Sequence, residues 1–341
     1  MFSCKGFGVL LLSAVCAGSA CGAEDKVLEG EPLADGGGSK DGGGANGMSN
    51  GTNNGNGSAT NGNANGGSDG GGGTSGGTPS DPECDMNGIW IGRQTTRSEA
   101  LSAGQFANNY YYMELRQDGD DVVVTKHFDC GIDVRGSVTV KITPATTKAM
   151  MLHNVKTGRK GTLKRGAGDT CDFAMERYWN VRGLDEARFA PSPRNSTSTL
   201  AQVASATPMP TKENQDGAED WDMDGKPGVA WQISLGNSVR HTAQRDWIEW
   251  FSDPEHSITK SADWSSDLLV RAKFDAEEVL FEASSGLVAS LSTVDASAKH
   301  TLALRFLGRD KSDSRAKALI KADDFDTCLA IQAALPPQNG L

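Results

Sequence analysis

The sequence predicts a mainly β fold: one antiparallel β-barrel or sandwich with a short C-terminal helix, behind a disordered linker rich in Gly, Asn and Ser. Three observations carry that prediction. Residues 36–78 are almost wholly Gly, Asn, Ser, Thr, Ala and Asp, and no aromatic residue occurs between Phe7 and Trp90. From residue 84 onward, short apolar–polar alternations recur between turn residues. Helical periodicity is clear only near the C-terminus.

The chain divides by composition. Lys5 is the only charge before a short apolar run over residues 6–15. A bilayer-spanning helix needs about 20 such residues, so the run matches the core of a signal peptide instead. Ala17-Gly18-Ser19-Ala20 then precede Cys21. Small residues before a Cys resemble the lipobox of bacterial lipoproteins, whose Cys is diacylated and becomes the mature N-terminus. That resemblance implies a signal peptide over residues 1–20 and lipidation at Cys21. Gly22 and Ala23 stand where Asp would imply inner-membrane retention, so it further implies an outer-membrane location, with the membrane as a partner through the lipid.

Residues 21–83 read as a tether. The segment has too little apolar surface to offset the conformational entropy lost on folding. The 36–78 stretch alone has a root-mean-square reach of roughly 35 Å with Gly/Ser-linker statistics. Its Asn-Gly steps have no apolar strands beside them and so do not read as hairpins.

Residues 84–337 read as the β-rich domain. Val138, Val140 and Ile142 alternate with polar neighbours, and so do Leu268, Val270, Ala272 and Phe274. Asp275-Ala276-Glu277-Glu278 reads as a hairpin turn before Val279 and Phe281. Tyr110–Leu115 and Val122–Val124 flank a second hairpin at residues 117–120, and Leu302, Leu304 and Phe306 mark a late strand. Residues 229–233 read as another strand, while residues 245–251 fit helix and strand equally. Residues 286–291 are read as a turn of helix. Residues 191–228 read as a long, polar surface excursion. Residues 326–335 form the predicted helix, with Asp326 as cap, Cys328, Ile331 and Leu335 on one face and Pro336 after it.

Of seven cysteines, Cys84, Cys130, Cys171 and Cys328 fall in this domain. An even number in an exported protein implies two disulfides, with three possible connectivities. The expected pairs are Cys130–Cys171, between neighbouring strand ends, and Cys84–Cys328, between the domain's start and end. No two of the four are spaced as zinc ligands.

Asn87-Gly88-Ile89-Trp90 resembles the Gly-x-Trp that opens lipocalin and related calycin barrels. The resemblance implies that Trp90 closes one barrel end beneath an Arg of the last strand, the position Arg305 would fill. The whole layout is also similar to lipoproteins of myxobacteria and their relatives.

The net charge of −11, from 33 Lys+Arg and 44 Asp+Glu, argues against a nucleic-acid partner, which needs a basic face. Asp220, Asp222 and Asp224 followed by Gly225 can wrap one hard cation, and Lys226 can offer its carbonyl. The pattern resembles EF-hand-like and thrombospondin-type calcium loops, although Trp231 stands at the twelfth position, where an EF-hand has Glu. Asp216 or Glu219 could supply the missing oxygen, and an acidic, solvated turn is the alternative. Calcium, in a structural role, is thus the one cofactor expected.

Trp231, Trp247 and Trp250 are candidates for a ligand face, since flat aromatics suit sugars or an apolar ligand. The five histidines form no catalytic motif, and Ser-x-x-Lys occurs twice without its partner elements, so no catalytic residue is assigned. The sequence thus points to a lipid-anchored, exported protein with a non-catalytic β-domain that binds an apolar ligand, a glycan or an envelope protein. A hydrolase acting on a polysaccharide or envelope polymer is the alternative.

Overall fold

The structure, a computed structural model, describes residues 84–98, 105–136, 139–154, 156–234, 238–260, 264–284 and 298–340. All lie within one unit, Thr74–Leu341. The signal peptide, Cys21, the tether, Val138 and the turn expected at 286–291 lie outside the described residues.

Eleven strands form one antiparallel sheet: β1 (Gly88–Ser98), β2 (Gln105–Asp118), β3 (Asp121–Arg135), β4 (Val140–Ile142), β5 (Lys160–Arg165), β6 (Thr170–Arg182), β7 (Val229–Ile233), β8 (Ser238–Phe251), β9 (Ile258–Thr259), β10 (Leu268–Ala283) and β11 (Thr301–Gly308). Among the described residues five short helices accompany them: α1 (Pro144–His153), α2 (Glu186–Phe189), α3 (Leu200–Ala206), α4 (Ser314–Leu319) and α5 (Asp324–Ala334).

The sheet closes on itself. Going round, β1, β2, β3, β4, β7, β8, β10 and β11 each pair with the next, and β11 returns to β1. Closure removes the open edges that would otherwise invite pairing with another chain. The gap between β3 and β8 is bridged twice. At one end β5 pairs with Asp121–Val123 of β3, and β6 pairs with β8 from Gln244 to Phe251. At the other end β4 pairs with Asp133 and Val134, and β7 pairs with β8 from Ser238 to Thr242. The wall therefore has two differently built ends.

Each end has its own apolar core, because side chains alternate along every strand. Trp90, Met113, Val122, Val124, Phe173, Trp250 and Leu304 belong to the core at the β5–β6 end. Ile132, Val134, Val140, Val181, Trp231 and Phe281 belong to the one at the β4–β7 end. Between them along β3 and β8 lie His127, Asp129 and Asp246, all buried. A third cluster lies on the opposite face of β1–β3, where Ile91, Tyr110, Tyr112 and Phe128 are covered by Cys328, Ile331 and Leu335 of the C-terminal segment. Tyr110 and Tyr112 share that face and Tyr111 points the other way, as strand alternation requires.

Several elements differ from the expectation. The disulfides are Cys84–Cys171 and Cys130–Cys328. Cys171 begins β6 beside the entry of the domain, while Cys130 faces outward on β3 under α5. The pairing follows strand faces, and sequence order carries no record of these. No turn occurs at residues 275–278: β10 runs through them, paired with β8 from Arg271 to Ala283. The ambiguous 245–251 segment is strand, as its pairing with β6 and β10 demands.

Helix α5 begins at Asp324, because the Asp323 carboxylate accepts from the amides of Phe325 and Asp326 and so caps it; Asp326 sits in the first turn. Helix α1 was not expected, although Thr143 caps it and Pro144 follows at its first turn. The 191–228 excursion is largely irregular, but Trp221 within it is buried in the core of the β4–β7 end.

Gly88 takes φ +131°, and a Cβ there would lie 2.4 Å from the Gly308 carbonyl oxygen. Trp90 beyond it is fully buried, with its ring 5.0 Å from Phe306 and 5.8 Å from Trp264. Arg305 is registered against Ile91, two-pronged on the Asp267 carboxylate at 2.7 and 2.8 Å, so its side chain is engaged away from the Trp90 face.

Candidate functional site

The barrel interior is ionic at its middle. Arg182 is buried and paired with both Asp246 and Asp129. Asn180 donates to Asp246 and Asn154 to Asp129. Burial pushes the Asp129 carboxyl up to about 6, against the pull of Arg182, and pushes Asp246 up as well. Burial also holds His127 down at about 3, helped by Arg159 and Lys156, so this imidazole is neutral although it lies 3.6 Å from Asp129. Every member of the layer is less than a tenth exposed. The arrangement ties β3, β6 and β8 together.

At the β4–β7 end, the acidic loop precedes β7. Asp220, Asp222 and Asp224 each bring an oxygen within 4.8 Å of the other two. The Asp220 carboxylate accepts from the amides of Asp224 (3.1 Å) and Gly225 (2.8 Å), and Gly225 takes φ +85° to make the turn. Asp222 is buried, with Oδ2 accepting from Thr146 Oγ1 (2.7 Å) and the Ala230 amide (2.8 Å), while Oδ1 is buried without a partner. Asp224 Oδ2 lies 2.7 Å from His241 Nε2, and the Lys226 ammonium reaches Glu282 at 2.8 Å.

Hard-cation chemistry fits three such carboxylates and the Lys226 carbonyl. The two acids considered for a further oxygen are engaged elsewhere, Asp216 with Arg188 and Glu219 with the Trp221 indole. Trp231, at the twelfth position, is buried and donates to Thr242. A second carboxylate–imidazole cluster, Asp253, Glu255 and His256, sits in a turn the sequence reading passed over. Its acids are taken by Arg271 and Lys299.

The three candidate tryptophans do not form one face. Trp231 and Trp250 are buried in different cores. Trp247 lies on the opposite side of β8 from Trp250, half-buried, with the Arg177 guanidinium 3.8 Å from its ring. It lines a recess of about 480 Å³ with Phe251, Lys273 and His300.

Sequence reading missed the outer wall of the β5–β6 end. There a recess of about 300 Å³ is lined by Arg159, Lys160, Glu176, Tyr178, Arg194 and Asn195, among others. An adjoining recess of about 480 Å³ shares Lys160, Glu176, Arg177 and Asn195 and adds Glu249. The cations come from three separate segments, so only their fold-dependent convergence reveals them; Arg159-Lys160 is the one adjacent pair that a sequence could show.

No family model matches this chain, and no curated protein or solved structure matches it either. Among the described residues no helix is long and apolar enough to cross a membrane, and the two disulfides are compatible with an exported protein.

Proposed function

We propose that this chain is an exported lipoprotein, diacylated on Cys21 and carried on its 21–83 tether, whose β-barrel binds a ligand or envelope partner without transforming it. The observation that carries the reading is where space lies. Two adjoining recesses open at the β5–β6 end, beside an interior that holds two apolar cores and an ion-paired layer. Two of the three acids lining those recesses hold neighbours: Glu176 accepts from Asn195, and Glu249 from Arg177, while Asp121 stands exposed at the rim. Calcium on Asp220, Asp222, Asp224 and the Lys226 carbonyl would order the loop before β7 and take no part in chemistry.

Two measurements test this. The full chain, expressed with its leader in a bacterial host, is expected to enter the detergent phase with a diacylglyceryl mass on its first residue. Cys21→Ala should move it to the aqueous phase, and an unlipidated wild type would end the anchoring proposal. Native mass spectrometry of the same material is expected to show a co-purified adduct. Release of new reducing ends from a polysaccharide would replace binding by the hydrolase alternative.

A further inference from the structure

We infer that the recess floored by Arg159 binds the carboxylate of an acidic sugar, within an oligosaccharide that continues into the adjoining recess over Arg177. The inference deepens the binding function proposed above and rests on it.

Arg159 is the unusual residue. The residue is 4% exposed, and its guanidinium stacks 4.1 Å from the Trp250 ring centre. Its Nε and Nη2 donate to the Glu176 carbonyl at 3.1 and 3.0 Å, and Nη2 also to the Ile248 carbonyl at 3.3 Å. Nη1 has no protein acceptor, and no carboxylate pairs with Arg159 among the described residues. Buried cations are ordinarily neutralised by an adjacent carboxylate, because desolvating an unpaired charge is expensive. Burial lowers this guanidinium to about 10, which leaves it charged at neutral pH. A protein of net charge −11 has therefore kept a buried positive charge open to a concave surface.

The surroundings narrow the ligand. Lys160, exposed beside Arg159, also has no carboxylate partner among the described residues. Arg159 and Lys160 thus offer a fork and a point charge to one anion, geometry that suits a carboxylate or a phosphate. Asp121, Glu176 and Glu249 line the adjoining recess, and their charge works against a dianion such as phosphate. Asp121, the second carboxylate oxygens of Glu176 and Glu249, and the Tyr178 hydroxyl suit the several hydroxyls of a sugar ring. The first recess, at about 300 Å³, lies at the small end of the range for ligand sites. Its continuity with the second, through Lys160, Glu176, Arg177 and Asn195, fits an oligomer better than a single ring.

The test is calorimetric titration of the full chain with tetragalacturonate, with a neutral galactose tetramer, and with inorganic phosphate. The acidic tetramer is expected to bind at least about tenfold more tightly than the neutral one, the yield of one charge-assisted contact. Lys160→Glu, an exposed change that leaves the fold intact, should weaken it by about tenfold or more. Arg159→Lys, which keeps the charge but loses the fork, should weaken it without changing the circular dichroism.

Equal binding of the acidic and neutral tetramers, no binding of either, or an affinity unchanged in Lys160→Glu overturns the inference. Phosphate binding tighter than tetragalacturonate overturns the sugar assignment and leaves an isolated anion site. A native adduct unaffected by Lys160→Glu would leave the binding function standing while this ligand class falls; absence of any adduct or titrated ligand would remove both.

Discussion

At the end closed by β5 and β6, the outer wall gathers Arg159, Lys160, Arg177 and Arg194 around a recess. At the end closed by β4 and β7, it gathers Asp220, Asp222 and Asp224 on one loop. The two regions solve opposite electrostatic problems. The acidic loop is contiguous in sequence, and backbone amides and His241 satisfy much of its charge. The cationic recess is assembled from β5, β6 and the segment after α2, and among the described residues its deepest charge is met only by carbonyl oxygens and aromatic rings. Local hydrogen bonds can hold a loop, but the register of the sheet has to hold the recess.

The largest expected effect tests that dependence. The Cys84–Cys171 disulfide fastens the start of β6, and closes a loop of 87 residues. Replacing both by Ser should cost about 4.5 kcal/mol by the loop-entropy relation. Hydrogen exchange should rise first in β5 and β6, while the Asp224 and Gly225 amides keep their protection. Equal loss at both ends would break the comparison. Peptide mapping without reduction should recover this pair and Cys130–Cys328.

The ionic layer between the ends gives the next effect. His127 is held near 3 in the folded protein against 6.5 in the free residue. The unfolded chain therefore takes up that proton first, and stability drains away as pH falls from about 6.5 towards 3. Asp129, raised from 3.8 to about 6, works in the opposite sense: the folded protein gains stability as pH falls from about 6 to 4. The histidine has the larger gap, about 5 kcal/mol at roughly 1.4 kcal/mol per pH unit, against about 3 kcal/mol for the aspartate. The two slopes oppose and nearly cancel between pH 6 and 4, so the net loss from this pair falls below about pH 4. Urea unfolding of His127→Gln should therefore show a slope between pH 6 and 4 that is shifted towards rising stability on acidification relative to the wild type; an unchanged slope would mean the layer does not govern acid sensitivity.

At the acidic end, Asp222→Ala should cost about 2 kcal/mol, because the buried Ala230 amide loses its acceptor, while Thr146 Oγ1 keeps the Ala230 carbonyl. Millimolar calcium is expected to raise the melting temperature of the wild type and of Lys160→Glu, but not of Asp220→Ala. A calcium response surviving in Asp220→Ala would move the ion off this loop. The smallest effect belongs to Trp247→Ala. This half-buried ring meets the Arg177 guanidinium from outside the cores, so thermal unfolding should report about 1 kcal/mol or less.

The sequence by itself determined the composition split, the alternation that makes strands, the β2–β3 hairpin, the C-terminal amphipathic helix and the acidic loop. Each is a local property, legible within a few residues: Tyr110–Tyr112 had to divide between two faces, and Asp220–Gly225 carries its own turn. Only the tertiary structure decided what sheet register brings together. The disulfide partners, the uninterrupted β10 through Asp275–Glu278 and the separation of Trp231 from Trp250 all depend on which strand lies beside which. Arg159 makes the same point most sharply. In sequence it is one cation beside another in a polar turn. It becomes a buried, unpaired charge because β6 and β8 pass their carbonyls beneath it and Trp250 lies against its face. Spacing along a chain sets which side chains can share a face, whereas the closure of the barrel sets which faces meet.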